Sequence, residues 1–337
     1  MPSLSTQPAL TVAMSVYNGE AHLAEAIESI LAQTFTDYEF LILNDGSSDR
    51  SREIIDAYAA RDNRIRAIHR ENRGLIYSLN QLLDEARAPI IARMDDDDVA
   101  LPDRFALQMD FLKANPDHGV IGAWTLDIDE TGDKIVVPAD GHPVTHPEVL
   151  EAIKNRTAVL CHPVVTYRRD IVESVGGYHK AFHHCEDYDL WLRLANVTQI
   201  ANLPKRLLQY RRSPSQVSNR YALTQQIGAA VAHYAYFYRE AGHDDPTAKL
   251  DALPPVNELD TLFGQEGVSK QVRGVVVPGI LYSESALKGE GLNFIIDFIK
   301  RGEHGGLGFR LWKTVARLIR LGEPARAMKL ATALISN

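Results

Sequence analysis

Between residues 9 and 104, short β-rich runs alternate with stretches whose apolar residues recur at helical spacing. That alternation confines this half of the chain to βαβ units around a parallel sheet. The runs at 9–16, 38–44, 64–70 and 89–94 read as strands. Between them Leu23, Ile27, Ile30 and Leu31 keep helical spacing, as do Ile54, Ile55 and Tyr58, and then Leu75, Leu79, Leu82 and Leu83. Ser48 reads as a helix N-cap and Pro102 as a first-turn proline.

From 118 to 212 the pattern is mixed, with a hairpin expected around Glu130-Thr131-Gly132-Asp133 and a helix over 186–195. This segment reads as the completion of one mixed sheet. After Ser218 the pattern turns helical, first over 221–240 and again near the end, with breaks at 243–246 and Pro254-Pro255. The expectation is an α/β catalytic domain over 1–219, with halves 9–115 and 116–219, and a mainly helical region over 220–337.

Of the 337 residues, 45% are hydrophobic and 24% charged, so a disordered or fibrous chain is excluded. A net charge of −8 leaves the body of the protein without general affinity for nucleic acid. Cys161 and Cys185 are too few for a disulfide framework, and no apolar run approaches the roughly 20 residues needed to cross a bilayer. A cytoplasmic protein is expected. Residues 300–329 carry eight Lys or Arg against two Glu. On a helical wheel over 307–321, Arg310, Lys313, Arg317 and Arg320 share a narrow face opposite Leu311, Trp312, Val315, Leu318 and Ile319. Such a helix suits an anionic membrane surface or packs its apolar face on the protein, and periodicity does not separate the two.

Three acidic signals carry chemistry. In Arg93-Met94-Asp95-Asp96-Asp97-Asp98, four acids follow the apolar run 89–92, at the carboxyl end of an expected parallel strand, where open α/β sheets bind ligands. Adjacent carboxylates repel unless a cation neutralises them, and Mg²⁺ or Mn²⁺ commonly bridges carboxylates to substrate phosphates. A solvated acidic turn before the next helix is the plain alternative. In Asn44-Asp45-Gly46-Ser47-Ser48-Asp49, Asp45 also ends a strand and could accept a hydrogen bond from a bound base or ribose, although turn chemistry alone explains much of the motif. In His183-His184-Cys185-Glu186-Asp187-Tyr188-Asp189, the acids suit a helix start electrostatically, and one of them could act as general base toward a hydroxyl nucleophile. A zinc site from Cys161, His162, His184 and Cys185 is disfavoured by irregular spacing.

Taken in order, Ser15-Val16-Tyr17-Asn18-Gly19, Asn44 to Asp49, Asn72-Arg73-Gly74, Arg93 to Asp98 with Pro102-Asp103-Arg104, and Glu186-Asp187-Tyr188-Asp189-Leu190-Trp191 resemble the motif series of family 2 glycosyltransferases. The resemblance spans about 9–215 and is nearest in flavour to the bacterial capsule, O-antigen or exopolysaccharide type, with Tyr210-Arg211-Arg212 and Ser218 resembling the segment that follows the base. It implies a GT-A fold, a Rossmann-like nucleotide-binding sheet flanked by helices, and inverting transfer from a nucleotide-diphosphate sugar, with UDP as the expected nucleotide. It further implies that Ser15, Tyr17 and Asp45 hold base and ribose, and that Arg73 lies near base or phosphates. Asp97 would bind Mn²⁺ or Mg²⁺ directly, with Asp95 on the ribose or on the metal's outer shell. Asp96 stands where relatives often have a small residue, which leaves open which neighbouring carboxylate meets the ion. Asp187 matches the catalytic base, Glu186 its companion near the acceptor, and Arg211 a residue that could close over the diphosphate. His162 is a secondary candidate near the acceptor, which is expected to be a glycan or a lipid-linked oligosaccharide.

Competing readings are a sugar nucleotidyltransferase, whose Gly-rich basic first loop is missing from Ser15-Val16-Tyr17-Asn18-Gly19-Glu20, and an inactive transferase-like scaffold, against which the full set of motif carboxylates argues. A dinucleotide-binding dehydrogenase fares worse than either, since Gly19, Gly46 and Gly74 are the only glycines in the first hundred residues and GxGxxG is absent.

Overall fold

A computed structural model describes residues 7–136, 141–213 and 221–336. Two compact units emerge: the described residues of Met1–His179 with Leu190–Ser213, and those of Lys180–Asp189 with Pro214–Asn337. The expected division at 219/220 and Ser218 both lie outside the described residues.

The first unit is built on an eight-stranded mixed sheet. Its strands are β1 (Leu10–Val16), β2 (Tyr38–Asp45), β3 (Ile65–Arg70), β4 (Ile90–Met94), β5 (Val99–Ala100), β6 (His118–Ile128), β7 (Thr166–Arg168) and β8 (Gln199–Arg211), in the order β3-β2-β1-β4-β7-β6-β8-β5. β1 is central to the parallel half, pairing with β2 and β4, and β2 pairs with β3. Both of its faces are covered: Leu10, Val12, Met14 and Val16 on one are fully buried, and Thr11 and Ala13 on the other are at most 4% exposed, as expected for a parallel strand in a doubly covered sheet. Helices α1 (Leu23–Leu31), α2 (Ser51–Ala59) and α3 (Leu75–Glu85) make the crossovers. In α1 Leu23, Ile27 and Ile30 at i, i+4 and i+7 are fully buried against the β1 and β2 core.

The chain moves outward from β1 through β2 to β3, then returns to place β4 on the other side of β1. This reversal opens a crevice beyond the carboxyl ends of β1 and β4, the place where such sheets bind ligands. After β4 the sheet becomes antiparallel through β7, and β6 runs parallel to β8. Helices α4 (Arg104–Ala114), α5 (His146–Lys154) and α6 (Arg169–Ser174) complete this half.

Two local expectations are corrected. Ser48 caps no helix: α2 starts at Ser51, whose N–H donates to Asp49 Oδ1 at 3.0 Å, while the Ser48 N–H donates to Asn18 Oδ1 at 2.8 Å. Pro102 precedes α4 by two residues, and its carbonyl accepts the Thr34 N–H instead. The turn at 129–133 forms, with the return strand reduced to one bridge between Ile128 and Lys134.

One helix, α7 (Glu186–Ala195), has its first turn in the second unit and its remainder in the first. The rest of the second unit is helical: α8 (Ala222–Glu240), α9 (Leu259–Phe263), α10 (Val268–Ile280), α11 (Glu284–Lys288), α12 (Gly291–Lys300), α13 (Gly308–Arg320) and α14 (Pro324–Ile335). Among the described residues no helix is long and apolar enough to cross a membrane.

Candidate functional site

The loops after β1 and β2 are stitched together by reciprocal hydrogen bonds. Asn18 takes a left-handed φ of 55°, its N–H donates to Ser47 Oγ at 2.9 Å, and its side chain accepts from Ser48. Gly19 N–H donates to Ser51 Oγ, Glu20 N–H to Asp49 Oδ2, and Arg50 N–H to Glu20 Oε2, each at 3.0 Å. Tyr17, directly after β1, is held in this frame with its ring 57% exposed, and Ser15 is half-buried in β1 beside it.

Asp45, 2% exposed at the end of β2, spends its carboxylate on the chain that follows β3. Oδ1 accepts from Arg73 N–H at 2.8 Å and pairs with Arg70 at 2.5 Å, while Oδ2 accepts from Gly74 N–H at 2.9 Å. Asn72 closes the same loop by donating to the Asp45 carbonyl. Asp45 thereby fixes where Arg73 stands, and Arg73 is exposed, with its guanidinium over the Tyr77 ring.

The acidic loop after β4 has far less internal compensation. Asp95, Asp97 and Asp98 each bring a carboxylate oxygen to one spot, all within 4.8 Å of one another. Burial, then the charges of Asp97 and Asp95, push the Asp96 carboxyl up to about 8. Burial and Asp95 push Asp97 up to about 6, and burial with Asp95 and Asp97 holds Asp98 well above the usual carboxylate range. Asp98 Oδ1 accepts from Arg211 N–H at 2.8 Å, but Oδ2 is buried without a hydrogen-bond partner. Three hard oxygen donors and a buried orphan acceptor fit a divalent cation such as Mg²⁺ or Mn²⁺.

Cations beneath the loop hold it from the other side. Arg93, 4% exposed, pairs with Asp95; burial opposes its charge, and the Asp95 carboxylate more than offsets this, so its pKa is raised. Arg104, fully buried, donates to the Arg93 carbonyl at 2.6 Å, and burial lowers its pKa to about 9. Asp96 turns from the trio toward the β1 loop: a Cβ added at Gly19 would stand 2.3 Å from Asp96 Oδ2. Any larger residue there would force the Asp96 side chain to move.

The expectation that Arg211 closes over a diphosphate is corrected. It is 2% exposed, and its guanidinium donates to the carbonyls of Asp97, Asp129 and Glu130 and to the Glu25 carboxylate, at 2.6–3.2 Å. With its N–H groups committed, it serves as a strut for the acidic loop. His162 Nε2 is 2.9 Å from the Tyr178 hydroxyl, and its ring packs edge-on against Trp191. Burial, reinforced by Arg93, lowers its pKa well below the ordinary histidine value, so it is a neutral, packed side chain. Two residues were missed by motif reading: Asp98, whose position in a run of like acids hides which ones converge, and Gly19, whose need shows only in the Asp96 approach.

In the second unit the start of α7 presents Glu186, 6% exposed, and Asp187, half-buried, whose Oδ1 accepts from Tyr188 N–H at 2.7 Å. His184, at a left-handed φ of 67°, stacks on Tyr221 with ring centroids 4.0 Å apart, and its carbonyl accepts from Gln225. Gly228 of α8 leaves room for Cys185 Sγ, which a Cβ there would approach to 2.3 Å. Helix α8 thus grips the two residues that lead into the Glu186-Asp187 turn. Burial, then the charges of Glu186, Asp187 and Asp189, raise the Cys185 thiol pKa well above its ordinary value, so it is an inert packed thiol. Among the described residues, the acidic trio is the one cluster of His, Cys, Asp or Glu close enough to share an ion, and the Cys161-His162 and His184-Cys185 pairs form none.

Comparison with known proteins agrees with this architecture. The family model described as "Glycosyl transferase family 2" matches residues 11–176. Glycosyltransferase EpsE of Bacillus subtilis is 32% identical over 238 residues, 68% of this chain and 82% of that protein. The O-antigen biosynthesis glycosyltransferase WbnJ of Escherichia coli is 31% identical, over 62% of this chain and 82% of its own length. A UDP-Gal:α-D-GlcNAc-diphosphoundecaprenol β-1,3-galactosyltransferase of Escherichia coli is 29% identical, over 69% and 84%. Among solved structures, S. aureus TarS 1–349 in complex with UDP-GlcNAc superposes with a TM-score of 0.59 at 18% identity, covering 97% of this chain and 90% of that one. The structural likeness shows the GT-A fold, and the identity and coverage of the sequence relatives show that the chain belongs to glycosyl transferase family 2.

Proposed function

We propose that the chain transfers a sugar from a UDP-sugar to a hydroxyl of a glycan or lipid-linked oligosaccharide, with inversion, in the synthesis of a bacterial surface polysaccharide. The observation that carries this reading is the convergence of Asp95, Asp97 and Asp98 at the crevice between the ends of β1 and β4, with Asp98 Oδ2 buried and unpartnered. Those three carboxylates would hold Mn²⁺ or Mg²⁺, which when bound neutralises charge on the nucleotide diphosphate. Tyr17 offers an exposed ring for the base, Ser15 and Asp45 would define the base and ribose pocket, and Arg73 lies on a loop set by Asp45. Asp187 takes the proton from the acceptor hydroxyl as that oxygen attacks the anomeric carbon, with Glu186 orienting the acceptor. The new C–O bond forms as the bond to the diphosphate breaks, and the diphosphate leaves with the electron pair from the opposite face. One in-line displacement inverts the configuration.

The similarity to the O-antigen enzyme WbnJ supports polysaccharide assembly, that to the diphosphoundecaprenol galactosyltransferase supports a lipid-diphosphate acceptor, and the likeness to TarS bound to UDP-GlcNAc supports a UDP donor. The same proposal has the chain working in the cytoplasm, peripheral on an anionic membrane through residues 307–321. The test is calorimetric titration with UDP, GDP and dTDP, each with Mn²⁺ and with EDTA, on the wild type, Asp97→Ala and Asp187→Asn. Expected are Mn²⁺-dependent UDP binding lost in Asp97→Ala, and, in Asp187→Asn, retained binding with transfer reduced roughly a hundredfold to ten-thousandfold. Absence of nucleotide binding under every condition would replace this reading with a scaffold.

A further inference from the structure

Helix α13 has a wider apolar stripe than its packing uses. Leu311, Val315 and Leu318 are buried within the helical unit, whereas Trp312 is 46%, Ile319 59% and Phe309 74% exposed. At 100° per residue, Ile319, Trp312 and Phe309 occupy one flank of the outward arc, and Arg320, Lys313, Arg317 and Arg310 the other. Between α13 and the end of α10 lies a groove of about 580 Å³, lined by Tyr282, Lys313, Ala316, Arg317 and Arg320 among others.

The groove is rich in uncompensated positive charge. Among the described residues Lys313, Arg317 and Arg320 have no carboxylate within ion-pair distance, and Arg317 Nε is buried without a hydrogen-bond partner. Nearby acids make their ion pairs elsewhere: Glu284 pairs with Lys288 at 2.6 Å and feels Arg317 only as a weaker, more distant charge, and Glu323 pairs with Arg326 at 3.3 Å. Arg310 lies over the Tyr282 ring, 5.5 Å from its centroid, and so closes one side. A solvated cationic face would account for the charges but not for three large apolar side chains held in water beside them.

We propose that this groove binds the phosphate of an anionic membrane phospholipid, with Trp312, Ile319 and Phe309 entering the lipid beside it. Charge complementarity selects the occupant: guanidinium groups suit phosphate oxygens, and the adjacent apolar flank suits acyl chains rather than water. The inference deepens the peripheral-membrane reading proposed above and rests on it, by naming the headgroup chemistry and the residues that take it.

The test is co-sedimentation of the full chain with phosphatidylcholine vesicles, with and without phosphatidylglycerol. It is run on the wild type, Arg317→Gln/Arg320→Gln, Lys313→Gln/Arg320→Gln, and the charge-matched control Lys300→Gln/Lys329→Gln. Binding only to the anionic vesicles is expected, with each groove double variant losing about tenfold or more and the control much less. The Lys313 variant alters only exposed side chains, so the test survives misfolding of the Arg317 variant. Equal losses in groove and control variants would overturn the groove and leave a diffuse electrostatic attraction. No vesicle binding by the wild type would overturn the peripheral reading itself. Stabilisation by inorganic phosphate, lost in the groove variants and without vesicle binding, would overturn the lipid assignment in favour of a soluble phosphate.

Discussion

The loops that follow β1 and β2 and the loop that follows β4 use the same raw material, short polar side chains and carboxylates at the ends of parallel strands, to opposite ends. In the first pair every acid is answered locally: Asp45 by Arg70 and two backbone N–H groups, Asp49 by Glu20 and Ser51, and Glu20 by Arg50. In the β4 loop three carboxylates face one another, and a fourth, half-buried, lies against Gly19. Arg93 beside Asp95, the more distant charges of Arg104 and Arg211, the Arg211 backbone N–H and a few loop amides oppose them, yet the carboxyls of Asp96 and Asp97 stay raised. Satisfied acids make a frame, and crowded acids make a site that gains when a cation arrives.

The largest effect expected from breaking this contrast is at Arg211, since removing its guanidinium orphans the Asp97, Asp129 and Glu130 carbonyls at once. Arg211→Met should cost about 3 kcal/mol in urea unfolding and weaken Mn²⁺ binding, whereas an arginine that merely met the diphosphate would leave stability unchanged. Next is Gly19→Ala, where the added Cβ forces Asp96 to move. About 2 kcal/mol of destabilisation is expected, and an unchanged melting temperature would refute the close approach.

A pH series sharpens the comparison without a mutation. Asp96 and Asp97 titrate at about 8 and about 6 in the folded chain, above the ordinary 3.8, so the folded chain holds protons that the unfolded chain has shed. Their contribution to stability is therefore fully present below about pH 4 and is lost as pH rises through 6 and 8. With EDTA the melting temperature should fall along this limb, and saturating Mn²⁺ should flatten it. A limb of the same slope with and without Mn²⁺ would show that the trio does not take the ion.

Much of the α/β half was legible because periodicity reports burial directly: β1 to β4, α1 to α3 and α7 stand within a residue or a few of where the pattern put them. Local chemistry was legible only where one neighbour decides it. Ser48 looks like a cap, but Asn18 claims its N–H from 30 residues away, and the N-cap falls to Arg50, with Asp49 accepting the Ser51 N–H from one residue further out. Arg211 looks like a ligand clamp because nothing local shows that β8 delivers it beneath the Asp97 carbonyl. The four-acid run announced a cation site, but turning of the backbone after β4, not adjacency, selects Asp95, Asp97 and Asp98 and sends Asp96 toward Gly19. In α13 a wheel shows one apolar stripe, and only packing divides it into buried Leu311, Val315 and Leu318 and exposed Trp312 and Ile319.

The smallest predicted effect tests the frame side of the contrast. Ser47→Ala removes the acceptor for Asn18 N–H, a 2.9 Å hydrogen bond in an exposed loop, while the Ser47 N–H keeps its bond to Asn44 Oδ1. A net loss of about 1 kcal/mol is expected, because water can replace the hydroxyl at an exposed site. The left-handed backbone at Asn18 relies on several such bonds, so the loop should stay closed and Tyr17 should keep its place. Donor affinity then changes by less than about threefold, measured by the same calorimetric titration. A collapse in affinity comparable to that of Asp97→Ala would mean that the frame is as poorly compensated as the acidic loop, and that the two regions do not differ in the way their hydrogen bonds indicate.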